Sequence, residues 1–307
     1  MYKMKIFPKL LAVLLVITLC FGVSTSVYAN ENVSTKATVA FVTNYTQLES
    51  ALVNHIGTII IMNDITFNDT LTIDYNVTFA AYSNVTLFQE SNLTRHFTIN
   101  ENNISVTFQG VTLDGYGTAG GIYSSASSTN IEGAVIQNCR DFFGGAIEAA
   151  GWLGMKDCII KNNNVIHYGG GVYCLQLNAE NCEFTDNFSY NGGGVYIAHA
   201  GSINNCTFTN NTAYTLYGKG GAIYFVADNP NVRPMLVLSG CIITGNKAAY
   251  GGGIYSNQLT YLFDSYIAFN SASINGGGLF MGMNAGYSSN NTSIYNNTPN
   301  NVVSVSN

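Results

Sequence analysis

The chain has 307 residues, of which only 9% are charged, with 17 Asp and Glu against 11 Lys and Arg. A net charge of −6 with no basic run argues against nucleic acid or anionic lipid as the partner of the whole chain. Solubility must then come from Asn, Ser, Thr and Gly, and Asn alone occurs 39 times.

Residues 1–29 read as a secretory signal peptide. Lys3, Lys5 and Lys9 give a basic start, Leu10 to Gly22 an apolar run, and Val27-Tyr28-Ala29 an imperfect small-x-small cleavage signal. The run is shorter than the roughly 20 residues a membrane span needs, so the mature chain is expected to have no transmembrane segment. Cys20 follows Thr18-Leu19, which lacks the small residue a lipidation site wants. Cleavage after Ala29 removes three lysines and leaves a net charge of about −9 and six cysteines.

Residues 30–45 are expected to form an irregular leader. Thr46-Gln47-Leu48-Glu49 fits a capping box, and Leu48, Ala51 and Leu52 share one face. This predicts a short helix over 46–55, inside a capping segment 46–57. A solenoid has open apolar ends that an atypical unit must close, and this helix is suited to the N-terminal end.

From 58 onward the chain reads as short strands. Thr58-Ile59-Ile60-Ile61-Met62 is followed by apolar-Thr-apolar pieces such as Ile65-Thr66-Phe67, Val77-Thr78-Phe79 and Val106-Thr107-Phe108. Their period of two puts one face in and one out. Asn and Asp separate them, and hairpin-type Asn-Gly turns are nearly absent.

From 119 the repeat is explicit. Gly-Gly-aliphatic-aromatic segments place the residue before the aliphatic at 121, 146, 171, 194, 222, 253 and 278, in steps of 23 to 31 residues. Stretches such as Cys182-Glu-Phe-Thr-Asp-Asn187 alternate with them. A period in the twenties is the signature of a stacked solenoid. The expectation is an all-β, right-handed, single-stranded parallel β-helix of about ten coils over 58–300, with a tail at 301–307. The step from Asn211 to Asn246 is longer than the rest, and the extra length falls at Val226 to Met235, a loop with Pro230 and Pro234 that is a candidate binding or partner loop.

Three columns follow from stacking equivalent residues. Asn138, Asn163, Asn187, Asn211, Asn246, Asn270 and Asn296 are expected to form an amide ladder at one corner. Cys158, Cys182, Cys206 and Cys241 form a second column, continued by Ser265. Packing as small apolar residues and disulfide bridging between coils are both open for it. Tyr123, Tyr173, Tyr196, Tyr224, Tyr255 and Phe280 are expected to point outward as the candidate binding column. Two readings compete there: stacking on sugars or a partner protein, or rings lying down over the glycines to shield backbone.

No catalytic residue, cofactor or metal site is expected. His55, His96, His167 and His199 share no spacing with the cysteines. A polysaccharide hydrolase needs paired carboxylates; Asp157 with Glu180 or Glu183, and Glu132 with Asp157, could approach on adjacent coils, but as isolated pairs at strand entries they are expected to be solvated surface. Thirteen Asn-x-Ser/Thr sequons, seven of them before residue 104, allow but do not require glycosylation.

Gly-Gly-Ala-Ile at 144–147 and 220–223, alternating with Phe-Thr-Asp-Asn at 184–187 and Phe-Thr-Asn-Asn at 208–211, resembles the repeats of polymorphic outer-membrane proteins and of adhesin-like archaeal surface proteins. The resemblance implies a pectate-lyase-like β-helix, secreted or at the cell surface, that binds a cell-surface glycan or surface protein without catalysis. The alternative is a polysaccharide lyase or glycoside hydrolase acting on acidic polysaccharide.

Overall fold

The computed structural model describes residues 38–89, 95–214, 216–227, 234–283 and 285–305. The expected signal peptide over 1–29 with Cys20, and residues 228–233 of the loop expected between Val226 and Met235, lie outside them. The chain is an all-β, right-handed parallel β-helix of about ten coils. Each strand pairs in parallel with its equivalent one coil on, as Ile159–Lys161 does with Glu183–Thr185 and that strand with Thr207–Thr209.

Three sheets run along the helix. Sheet B has 10 strands, one per coil, from Ile65–Phe67 to Ser293–Tyr295. Sheet C has 6, from Arg140–Phe143 to Ser271–Asn275. Sheet A has 18 and gathers the remaining two sides. Those sides fuse because Ile147–Lys156, Val172–Glu180 and Val195–Asn204 run straight through what is a corner in other coils.

The alternation read from the sequence builds the interior. Ile65–Phe67 and Leu71–Ile73 each bury both apolar residues and expose the threonine between them. Like residues then meet like: Phe79 stacks on Phe108 at 4.9 Å between centroids, and Phe184 on Phe208 at 4.6 Å. Such pairs are worth about 0.5–1.5 kcal/mol each beyond the area they bury.

Both ends differ from the reading above. Val39–Val42, expected in an irregular leader, is a strand paired with Thr58–Ile61. Its Val-Ala-Phe-Val sequence suits a strand and buries Val42. The helix runs Tyr45–Val53, and its N-cap is Asn44 rather than Thr46. Asn44 Oδ1 accepts the Gln47 N–H at 3.0 Å while Gln47 Oε1 accepts the Thr43 N–H at 2.8 Å, so the reciprocal pair forms two residues earlier than expected. Leu48, Ala51 and Leu52 are buried against the interior, closing the N-terminal end. In the expected tail, Val302–Ser304 pairs with Leu279–Met281 as a further strand.

Candidate binding face

The corner between sheets B and C carries two adjacent columns. The first holds left-handed backbone at Asn138, Asn162, Asp186, Asn210, Gly245, Phe269 and Asn296. Asn, Asp and Gly tolerate that conformation. The second is the amide ladder. Asn163, Asn187, Asn211 and Asn246 each donate from Nδ2 to Oδ1 of the next member at 2.9–3.0 Å, and the same oxygen takes the backbone N–H of the residue before. Asn270 continues to Asn297, and Asn297 ends on Oδ1 of Asn301. Asn138 and Asn296 therefore belong to the left-handed column. The ladder places are held by Cys139, whose N–H reaches Asn163 Oδ1 at 2.9 Å, and by Asn297.

The cysteines of the described residues are all buried free thiols. Cys158, Cys182, Cys206 and Cys241 line one inward column, where Cys206 Sγ accepts the Cys182 N–H at 3.3 Å. Ser265 takes over the role, its hydroxyl accepting the Cys241 N–H at 3.1 Å. Burial pushes the Cys241 thiol up to about 11 and raises Cys174 as well. Inert, protonated thiols are packing elements.

Tyr173, Tyr196, Tyr224, Tyr255 and Phe280 stand in consecutive coils, with ring centroids 5.0–5.2 Å apart. Tyr123 is separated from them by Glu148, which fills the intervening place in register. The tyrosines are half-buried and Phe280 is buried. Each ring faces its neighbours along the axis. Rings from the far side of the glycine corner also reach over to them: Phe143 to Tyr173 at 5.7 Å, Tyr168 to Tyr196 at 5.1 Å, Tyr250 to Phe280 at 5.3 Å. Lys219 Nζ lies 4.9 Å from the Tyr255 ring. The corner beneath leaves no room for side chains. Gly169 has φ +66°, and a Cβ there would strike the Val172 carbonyl. The rings thus roof the glycine backbone, packed against one another along the axis and against the rings across the corner.

The outward side of sheet C is more accessible, and the sequence reading missed it. Phe142 is 59% exposed, Tyr190 and Tyr214 39% each, and Tyr217 65%; Ile166, Phe188 and Leu216 are exposed beside them. These residues come from four successive coils. The inward neighbours Val165, Ser189 and Ala213 are buried, so the pleat holds the large residues out. Tyr190 and Tyr214 stack at 5.7 Å, and Phe142 stacks on His167 at 6.1 Å. Contiguous exposed apolar surface is a feature that protein interaction sites share.

The carboxylates expected as possible pairs fall at different places in the coil. Glu132, Lys156 and Glu180 occupy one column in that order, with Lys156 Nζ 3.7 Å from Glu180. Asp157 sits at a corner and accepts from Asn181 Nδ2 at 3.0 Å, while Glu183 opens a sheet B strand. The carboxylates that do meet are Asp141 and Glu148, bridged by Arg95 at 2.8 and 2.6 Å. Burial raises the Glu148 carboxyl and Arg95 opposes that shift. Arg95 fills the space a substrate would need between them. A shallow concavity of about 350 Å³ lies over Phe88, Asp114, Tyr116 and Asn138, but Asp114 is taken up by Gln137 at 2.7 Å and Asn138 at 3.0 Å. His96 is fully buried and pushed down to about 4 by that burial, with its ring nitrogens against the Gly120 and Leu87 carbonyls. Among the described residues no three His, Cys, Asp or Glu side chains converge as a metal site.

Residues 205–226 match the Chlamydia polymorphic membrane protein (Chlamydia_PMP) repeat. The chain is a β-helix protein with a repeat of the polymorphic-membrane-protein type. The matched stretch is nearly one full coil. It holds the Cys206 inward place, Asn211 of the ladder, Tyr214 and Tyr217 of the exposed face, and the Gly220-Gly221 corner with Tyr224. No curated protein and no solved structure matches the chain.

Proposed function

We propose that this protein is a non-catalytic attachment module at the cell surface or released from it, and that it holds its partner on the outward face of sheet C. The observation that carries the reading is the run of exposed rings through four consecutive coils of a rigid solenoid. The polymorphic-membrane-protein repeat supports a surface role. The Tyr173 to Phe280 column is the roof of the neighbouring corner and borders the site.

The test is attachment of the purified full chain to cells and to an array of glycans. Tyr190→Ala with Tyr214→Ala and Phe142→Ala should lower attachment at least tenfold, with the thermal midpoint nearly unchanged because these rings are exposed. Tyr173→Ala with Tyr196→Ala should lower the thermal midpoint instead. Undiminished attachment by the sheet C variant would end this reading.

A further inference from the structure

We propose that the sheet C face binds an anionic polysaccharide laid along the solenoid axis; this rests on the face being the attachment site. The argument is one of charge. On a chain of net charge −6 the outward strands of this face carry two exposed cations, Arg140 and Lys247, neither in an ion pair among the described residues. They stand in one column on either side of the aromatic coils: Arg140 pairs with Asn164, then Phe188, Thr212 and Lys247 follow in register, and Ser271 continues the column. Four strand steps of about 4.8 Å set them roughly 19 Å apart, with the stacked Tyr190 and Tyr214 alongside. Lys219 stands at the glycine-side margin.

Acidic side chains do not offset these cations. Asp141, the carboxylate on the same strands, is spent on Arg95 at 2.8 Å. Asp186 lies at the bounding corner. The face is thus locally positive where the rest of the molecule is negative, and its middle is apolar with phenol hydroxyls. A polysaccharide supplies the complement: C–H surfaces and hydroxyls for the rings, and carboxylates spaced widely enough to meet cations several strands apart. Single-stranded nucleic acid also stacks on rings, but it carries a phosphate on every unit and calls for a continuous cationic track, whereas here the cations are sparse.

The probe is hyaluronan, charged on alternate sugars, against neutral dextran and oligo(dT), with the full chain immobilised. The expected result is hyaluronan binding that weakens with added salt and falls about fivefold in Arg140→Gln or Lys247→Gln, and more in the double variant, with dextran unbound. Hyaluronan binding that ignores salt and both substitutions, no hyaluronan binding at all, or tighter binding of oligo(dT) would each overturn the proposal. Cell attachment separates the two claims. If Tyr190→Ala with Tyr214→Ala and Phe142→Ala abolishes attachment while hyaluronan does not bind, the face is adhesive but its ligand is not an anionic polysaccharide. If attachment persists in that variant, the underlying reading fails with it.

Discussion

At the scale of single residues, two neighbouring positions in each coil have opposite requirements. Asn211 uses its whole amide: Oδ1 receives the backbone N–H and Nδ2 of Asn187, and Nδ2 donates to Asn246 and to the Phe184 carbonyl. Asn211→Leu keeps the branched shape but leaves two buried N–H donors of Asn187 without that acceptor. At about 1–3 kcal/mol for each orphaned group, a loss of about 3–5 kcal/mol is expected, seen as a lower urea midpoint at unchanged slope. Asn210, one residue earlier, is there for its left-handed backbone, φ 56°, which Gly245 supplies in the next coil. Asn210→Gly should stay within about 0.5 kcal/mol of the parent. The same column holds Phe269 at φ 58°, a bulky side chain where the other coils have Asn, Asp or Gly. Phe269 is largely exposed, so Phe269→Asn forfeits little packing and should raise stability by about 1 kcal/mol in the same titration.

At the scale of the coil, the glycine corner is the least forgiving element. A Cβ on Gly193 would strike the Gly221 carbonyl and come within 2.6 Å of Thr212 backbone atoms, and neither can rotate away. Gly201 differs, since its Cβ would meet the ends of Leu236 and Ile197 side chains at 2.8 and 2.9 Å. Gly193→Ala is expected to cost about 3 kcal/mol or more and Gly201→Ala about 1 kcal/mol, read from thermal midpoints and soluble yield. The recurrence that made these corners visible in the sequence also made the solenoid legible, because glycine and Asn are forced at the same place in each turn. It failed where the forced residue was ambiguous. Asn296-Asn297 offers two asparagines for two roles, and at Asn138-Cys139 the ladder place is not an asparagine, so both assignments slipped by one. Glu148 was passed over because a motif defined by aromatics cannot show the coil that lacks one. The sheet C face stayed hidden for another reason: Phe142, Ile166, Tyr190 and Tyr214 recur every 24 residues, but they differ in type and share no flanking motif that marks the column. What makes those residues a site is shared exposure, which only the pairing of strands reveals.

At the scale of the whole molecule, averages conceal what the stack arranges. A net charge of −6 gave no hint of a face carrying Arg140 and Lys247, because acidic residues are gathered on the other sides. Stability is distributed along the axis in a similar way. Each coil is bonded to the one before and the one after, so a disturbance at one end should travel only as far as the coupling between neighbours carries it. The N-terminal end is closed by Leu48, Ala51 and Leu52 of the helix, packed over coils whose interior is Phe67, Phe79, Phe97 and Phe108. The coils from Asn163 to Asn297 have the amide ladder in addition. Leu48→Asp with Leu52→Asp should unseat the lid by burying charge against that interior. Amide hydrogen exchange should then accelerate first and most in the strands between 58 and 99, while the ladder coils between 163 and 270 keep nearly parental protection. A uniform loss of protection from one end to the other would mean that the solenoid opens as a single cooperative unit, and that the lid guards the whole stack rather than its first turns.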